Sequence, residues 1–101
     1  VLTKMGRGID HYFESALIVA LRNPNVYFDT TSTTAQHIRR AVKTIGAQRI
    51  MFGTDWSPTW KWVRDPEPLY TTRFKVVKES GISETESEWI LGKTAVELYK
   101  L

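Results

Sequence analysis

Apolar residues along the chain alternate between short continuous runs and longer stretches with helical spacing. The short runs are residues 1–3, 26–28 and 50–53, and a continuous apolar run is typical of a parallel strand that is covered on both faces. Between them, apolar residues recur three and four positions apart, as on one face of a helix. This alternation predicts an α/β fold with a parallel sheet.

The first helix is predicted between residues 10 and 22, with Asp10 as its N-terminal cap. Its apolar face is wide, and the longest apolar run of the chain, residues 16–21, belongs to it. We therefore expect this helix to be buried between the sheet and its neighbours. The residues expected on its buried face are Phe13, Ala16, Leu17, Ala20 and Leu21, widened by Ile18 and Val19.

The second helix lies between the second and third strands. Thr33 and Gln36 have the spacing of a capping box at its start, and Gly46 is expected to end it in the left-handed conformation. Its buried stripe is predicted from the helical spacing of Ile38, Ala41, Val42 and Ile45.

A long irregular loop at residues 57–68 follows the third strand, and helices complete the chain. One helix is expected to end near Gly81, and Ser83 with Glu86 forms a second capping box. Gly92 is expected to break or bend the last helical segment. A closed barrel of eight strand–helix units takes about 250 residues, or roughly 31 per unit, so this chain holds about three units. We therefore expect part of a larger domain.

Composition excludes several classes of protein. Apolar residues make up 42% and charged residues 25% of the 101 residues, as in ordinary globular domains. No apolar run approaches the roughly 20 residues of a membrane span, and without cysteine there is no disulfide or thiolate site. The net charge of +3 is scattered along the chain, which does not favour nucleic acid as a partner. A cytoplasmic location is expected.

Asp55 is the strongest candidate for chemistry, because it directly follows the third predicted strand. The carboxyl ends of parallel strands are where α/β enzymes place catalytic groups and metal ligands. A carboxylate there can ligate a metal or act as a base, or it can simply cap the loop through nearby backbone amides. Lys4 also follows a strand, and its position alone favours a solvated lysine, but it could bind an anionic substrate or, if buried, act as a base. His11 and His37 are expected at the surface, so Asp55 is the one convincing metal ligand.

Three segments resemble the C-terminal part of the amidohydrolase superfamily, and its closest branch is the amidohydrolase-related metal-dependent hydrolases and decarboxylases. They are residues 25–30 (Asn-Val-Tyr-Phe-Asp-Thr), residues 49–56 (Arg-Ile-Met-Phe-Gly-Thr-Asp-Trp) and residues 90–99. The resemblance implies that residues 1–101 are the C-terminal fragment of a (β/α)₈ TIM barrel, containing the end of strand six and strands seven and eight with their helices.

By the same resemblance, Asp55 matches the aspartate that lies at the metal and handles the proton of the attacking water. The implied cofactor is a divalent metal, zinc or else manganese, and Trp56 and Lys4 are expected to contact a small-molecule substrate. The family's first-strand histidine pair and fifth-strand histidine have no counterpart in this chain. Lys4 also stands where the family usually has a histidine after strand six, and a protonated lysine cannot ligate zinc.

Two readings of the function follow. In the first, the chain is a fragment of a metal-dependent hydrolase or decarboxylase that is inactive alone and works as a homo-oligomer or with a chain that supplies the missing half-barrel. In the second, it is a non-catalytic α/β interaction module that self-associates through exposed strand edges. Neither reading involves nucleic acid or a membrane.

Overall fold

The computed structural model describes residues 1–54 and 69–101, with side chains in the second range described from residue 71 onward. The chain follows the predicted strand–helix order, and a short 3₁₀ turn (Ala47–Arg49) precedes the third strand. The elements are β1 (Leu2–Lys4), α1 (Asp10–Arg22), β2 (Tyr27–Asp29), α2 (Ala35–Ile45), β3 (Ile50–Met51), α3 (Leu69–Lys78), α4 (Glu84–Glu88), a π-helical segment (Trp89–Lys93) and α5 (Thr94–Tyr99).

The three strands form one parallel sheet in the order β1-β2-β3. This confirms the predicted α/β class with parallel strands. β1 and β2 each lie one residue later than their predicted runs, and β3 is two residues long rather than four. The ladder ends after Met51 because the Gly53 N–H donates to the Thr30 hydroxyl instead of to a backbone carbonyl. On the other edge of β3, the Phe52 N–H donates to the Ile90 carbonyl at 2.8 Å. The C-terminal helices therefore cover the outer edge of β3 at Phe52.

The core lies on one face of this sheet. Phe28 and Ile50 are register partners on β2 and β3, and both are fully buried. Their side chains share a face because paired residues of a parallel ladder point to the same side. Helices cover this face, with the buried side chains of Phe13, Leu17 and Ala20 from α1 and of Ile38, Ala41 and Val42 from α2. The opposite face carries the alternate strand positions, which include Lys4 and Asp29.

The predicted buried face of α1 is wider than the face that is buried. Phe13, Leu17 and Ala20 are buried as predicted, but Ile18 and Val19 are each 49% exposed and Leu21 is 56% exposed. The predicted cap is also wrong. Ile9 is the N-cap and makes no side-chain cap bond, whereas Asp10 is the first helical residue.

The start of α2 differs from the prediction by one residue. Thr34, rather than Thr33, is the N-cap, and its hydroxyl accepts the His37 N–H at 3.1 Å. Gly46 ends the helix as predicted and its N–H donates to the Val42 carbonyl, but its φ of 89° and ψ of 149° are not the left-handed helical conformation.

The capping box predicted at Ser83 and Glu86 is confirmed, with both reciprocal hydrogen bonds present. Gly92 does not break the helix, because the chain continues through the π-helical segment into α5. Thr94, at the start of α5, is buried and donates its hydroxyl to the Ala47 carbonyl at 2.9 Å. This bond joins the C-terminal helix to the turn that leads into β3. Among the described residues, no helix has the length and apolar character needed to cross a bilayer.

Candidate functional site at the carboxyl ends of the strands

Polar residues gather where the three parallel strands end. Lys4 ends β1 and Asp29 ends β2, and the two are register partners. Their side chains therefore point to the same face of the sheet, opposite the helix-covered core. Asp29 is in turn paired with Met51 at the end of β3, and Gly53 and Thr54 follow directly. This carboxyl edge is the place where the sequence predicts a site.

Asp29 lies directly against the backbone of Gly53. A Cβ atom at position 53 would lie 2.7 Å from Asp29 Oδ1 and 2.8 Å from Oδ2, closer than packed atoms approach. The Thr31 N–H donates to Asp29 Oδ1 at 2.5 Å, which holds the carboxylate in this position. A side chain at position 53 would therefore displace the Asp29 carboxylate.

Thr30 connects the ends of β2 and β3 through both its backbone and its side chain. Its N–H donates to the Met51 carbonyl at 3.0 Å. Its hydroxyl accepts the Gly53 N–H at 3.1 Å and lies 3.4 Å from the Gly53 carbonyl oxygen. Because Thr30 is fully buried, these bonds are shielded from competition by water.

Arg73, on α3, reaches the loop between β2 and α2. Its Nη2 donates to the Thr30 carbonyl at 2.9 Å and to the Thr33 carbonyl at 2.5 Å. Burial lowers the pKa of the Arg73 guanidinium, and attraction to the Asp29 carboxylate opposes that shift. The described part of the carboxyl edge therefore brings the Asp29 carboxylate together with the basic side chains of Lys4 and Arg73.

This set of groups does not fit a divalent metal. Within residues 1–54 and 69–101, no group of three or more His, Cys, Asp or Glu side chains could hold an ion. Asp29, the carboxylate in the described part of the edge, is already bonded to a backbone amide, and the nearby guanidinium of Arg73 repels cations. The described part of the edge is suited instead to a polar or anionic group.

The predicted site residues divide into those that the structure describes and those that it does not. Lys4 lies at the carboxyl edge, half-buried. Asp55 and Trp56 lie outside the described residues, so their roles remain predictions. His11 is exposed as expected, with its ring 4.3 Å from that of Tyr12.

The expected surface position of His37 is wrong, because only 7% of its side chain is exposed. Its ring stacks on Phe13 at 4.2 Å, and its Nε2 lies 2.8 Å from Asp10 Oδ1. Among the described residues, its Nδ1 has no hydrogen-bond partner. His37 therefore joins α2 to α1 through its ring and Nε2.

Sequence reasoning did not select Asp29 or Arg73 as site residues. Asp29 had a usable signal, since it directly follows the second predicted strand. Arg73 had none, because its acceptors Thr30 and Thr33 lie 43 and 40 positions earlier in the chain.

The chain resembles one known protein family. The family model described as amidohydrolase matches residues 1–101, so it includes both the carboxyl edge and the residues that carry the resemblance noted above. No curated protein and no solved structure matches the chain. Members of the matched family commonly bind divalent metals, and the match supports hydrolase-type chemistry. The chain belongs to the amidohydrolase family.

Proposed function

We propose that this chain is the C-terminal part of a metal-dependent hydrolase, or of a related decarboxylase, with a (β/α)₈ barrel fold. The observation that carries the proposal is the family match over residues 1–101, together with a parallel sheet whose polar residues collect at its carboxyl edge. Barrel enzymes build their active sites at this end of the strands. The chain then contributes one sector of the site.

Asp55 is the residue that we assign to the chemistry itself. It follows Thr54 at the end of the described carboxyl edge, where a carboxylate can act as a metal ligand and can accept the proton of an attacking water. A divalent metal, zinc or manganese, would supply Lewis acidity when bound. The described residues do not complete a metal site. We propose that strands outside residues 1–101 supply the remaining ligands and that the chain is inactive without them.

Lys4 and Trp56 are proposed to contact a small-molecule substrate. Lys4 shares its sheet face with Asp29, and a lysine at this edge favours an anionic substrate group, such as a carboxylate.

The remaining barrel is proposed to dock on β1 and α1. Within the described residues, no strand pairs with the outer side of β1, and Leu2 is 45% exposed there. At the N-cap of α1 and on the helix itself, Ile9, Tyr12 and Val19 are 43%, 55% and 49% exposed. Their spacing of three and seven residues is that of one stripe along a helix. A further strand–helix unit, from another chain or a second copy, would cover both.

The same surface favours a second candidate, a non-catalytic α/β module that self-associates through β1. The two candidates differ in their use of metal, because an interaction module has no need of one. For either candidate, Val19→Lys places a charge in the apolar stripe and should shift an oligomer toward the monomer in light scattering. An unchanged mass would exclude this surface from the assembly.

Metal content tests the hydrolase proposal. The chain and its Asp55→Asn variant are incubated with zinc, freed of excess metal and measured by elemental mass spectrometry, with the exposed Glu79→Gln as the control. We expect Asp55→Asn to fold like the parent but to retain less zinc, and Glu79→Gln to match the parent. Equal zinc in all three proteins would remove Asp55 from the site.

A further inference from the structure

The loop between β2 and α2 contains a tight turn that is unfavourable by itself. The Thr33 N–H donates to the Thr30 carbonyl at 3.3 Å, which closes the turn. Ser32, within it, has a φ of 56°, a left-handed conformation that residues with a Cβ rarely adopt. Such a conformation persists when surrounding contacts hold it in place.

Arg73 supplies those contacts from α3. Its Nη2 bonds the carbonyls of both end residues of the turn, Thr30 and Thr33. Both bonds come from one nitrogen, whose two N–H groups are held in a fixed geometry by the guanidinium plane. Removing a guanidinium from water is costly, as the lowered pKa of Arg73 indicates, and the two Nη2 bonds offset part of that cost.

The turn that Arg73 holds is connected to the end of β3 through the Thr30 hydroxyl. Thr30, the first residue of the turn, accepts the Gly53 N–H with its Oγ1 at 3.1 Å. Gly53 also lies against the Asp29 carboxylate, which the Arg73 guanidinium attracts. Any displacement of the turn therefore reaches the backbone from which the chain continues to Thr54.

We infer that Arg73 is a positioning residue: by holding the Thr30–Thr33 turn, it keeps the Thr30 hydroxyl on the Gly53 N–H and so fixes the backbone at the end of β3. This backbone leads to Asp55, and the consequence for Asp55 rests on the proposed function. The positioning of Gly53 itself does not, because it involves described residues and no metal.

Two neighbouring amides make this inference directly testable. The Gly53 N–H depends on Thr30, whereas the Phe52 N–H donates to the Ile90 carbonyl on the C-terminal helices. A general loss of stability speeds hydrogen exchange at both amides, but loss of the turn speeds it selectively at Gly53.

Arg49 provides the matched control. It too is an arginine that bonds backbone carbonyls, those of Ala20 near the end of α1 and of Asn23 and Val26 in the loop that follows, but at the amino ends of the strands. Arg49→Met should therefore destabilise the fold without a selective effect at Gly53.

The experiment measures amide hydrogen exchange by NMR in the metal-free 101-residue chain, comparing the parent with Arg73→Met and Arg49→Met. We expect Arg73→Met to raise the ratio of Gly53 to Phe52 exchange rates about tenfold, the order expected from losing one hydrogen bond. Arg49→Met should leave the ratio unchanged. An unchanged ratio in Arg73→Met, or an equal rise in both variants, would overturn the inference. If Arg73→Met does not fold, Arg73→Lys is judged by the same ratio.

Thr30→Val tests whether Arg73 acts on Gly53 through the Thr30 hydroxyl. The substitution removes that hydroxyl but keeps the carbonyl that Arg73 contacts. This variant alone should raise the ratio, and adding Arg73→Met to it should then raise the ratio little further. A full additional rise in the double variant would show that Arg73 acts on Gly53 by another route and would overturn the inference. Because no metal is present, these results are independent of whether Asp55 binds zinc.

Discussion

Gly53→Ala is the substitution that most directly probes the packing of the carboxyl edge. The added methyl group would lie 2.7 Å from Asp29 Oδ1 and 2.8 Å from Oδ2, so the carboxylate must move. Moving it breaks the hydrogen bond that it accepts from the Thr31 N–H and separates it from the Arg73 guanidinium.

The size of the effect follows from two opposing contributions. A hydrogen bond to a charged group is worth about 1.5–3 kcal/mol. Gly53 is not among the glycines with positive φ, so alanine also restricts the unfolded chain and returns about 0.4–1 kcal/mol. The difference predicts that Gly53→Ala lowers the free energy of unfolding by about 1–2 kcal/mol.

Urea denaturation followed by circular dichroism, at fixed protein concentration, measures this change. Gly92→Ala is the control, because a Cβ at position 92 meets nothing within 4 Å and replacing a glycine inside a helix is expected to stabilise by about 0.5–1 kcal/mol. The two alanine substitutions should thus shift stability in opposite directions.

A second background isolates the cause. In an Asp29→Ala protein the carboxylate is gone, so Gly53→Ala should cost nothing or should stabilise. If Gly53→Ala is harmless in the parent, or equally harmful with and without the Asp29 carboxylate, the contact between position 53 and Asp29 does not restrict the edge as argued.

Two further predictions concern the C-terminal helices, with stability again measured in urea. Thr94→Val leaves the buried Ala47 carbonyl without its 2.9 Å donor and should lower the free energy of unfolding by about 1–2 kcal/mol. Thr94→Ser keeps a hydroxyl and should lower it less. Equal losses of stability in the two variants would mean that the hydroxyl is unimportant. Ser83→Ala removes the cap that accepts the Glu86 N–H and should cost about 1 kcal/mol. Ser83→Asp keeps a capping oxygen and should stay near the parent, so a loss as large as that of Ser83→Ala would rule out capping as the cause.

The element order could be predicted because its signals are local. Continuous apolar runs separated by helical spacing are read directly from the chain, and they indicate parallel strands with helical connections. The Ser83–Glu86 capping box has a fixed spacing and was found where it was predicted. At the start of α2, Thr33 and Thr34 are adjacent hydroxyl residues, and local sequence did not decide between them.

Burial was predicted less well, because it depends on what lies beside a helix. The apolar residues Ile18, Val19 and Leu21 are as suitable for a core as Leu17, yet they are about half exposed. His37 shows the reverse: it is a polar residue near arginines, yet it is buried because Asp10 and Phe13, on another helix, provide its partners. Its burial follows from the packing of α1 against α2.

The carboxyl edge could be predicted as the position of the candidate site, but most of the residues that meet there could not. The carboxyl edge follows from the parallel topology, and Lys4 lies there. Arg73 reaches the edge from a helix that lies 40 or more positions after its acceptors in sequence. The Asp29 carboxylate packs against Gly53, which follows the next strand. Contacts of this range have no local sequence pattern.

The central claim is that this chain supplies one sector of a metal-dependent site and needs further strands to complete it. Separation of the zinc-treated chain by size, with its mass from light scattering and its zinc from elemental detection in the same fractions, tests that claim most directly. We predict that zinc accompanies assembled species, that the monomer carries none, and that Asp55→Asn removes it. A monomer with stoichiometric zinc, or assembled species that hold no zinc or hold it equally without Asp55, would contradict the account.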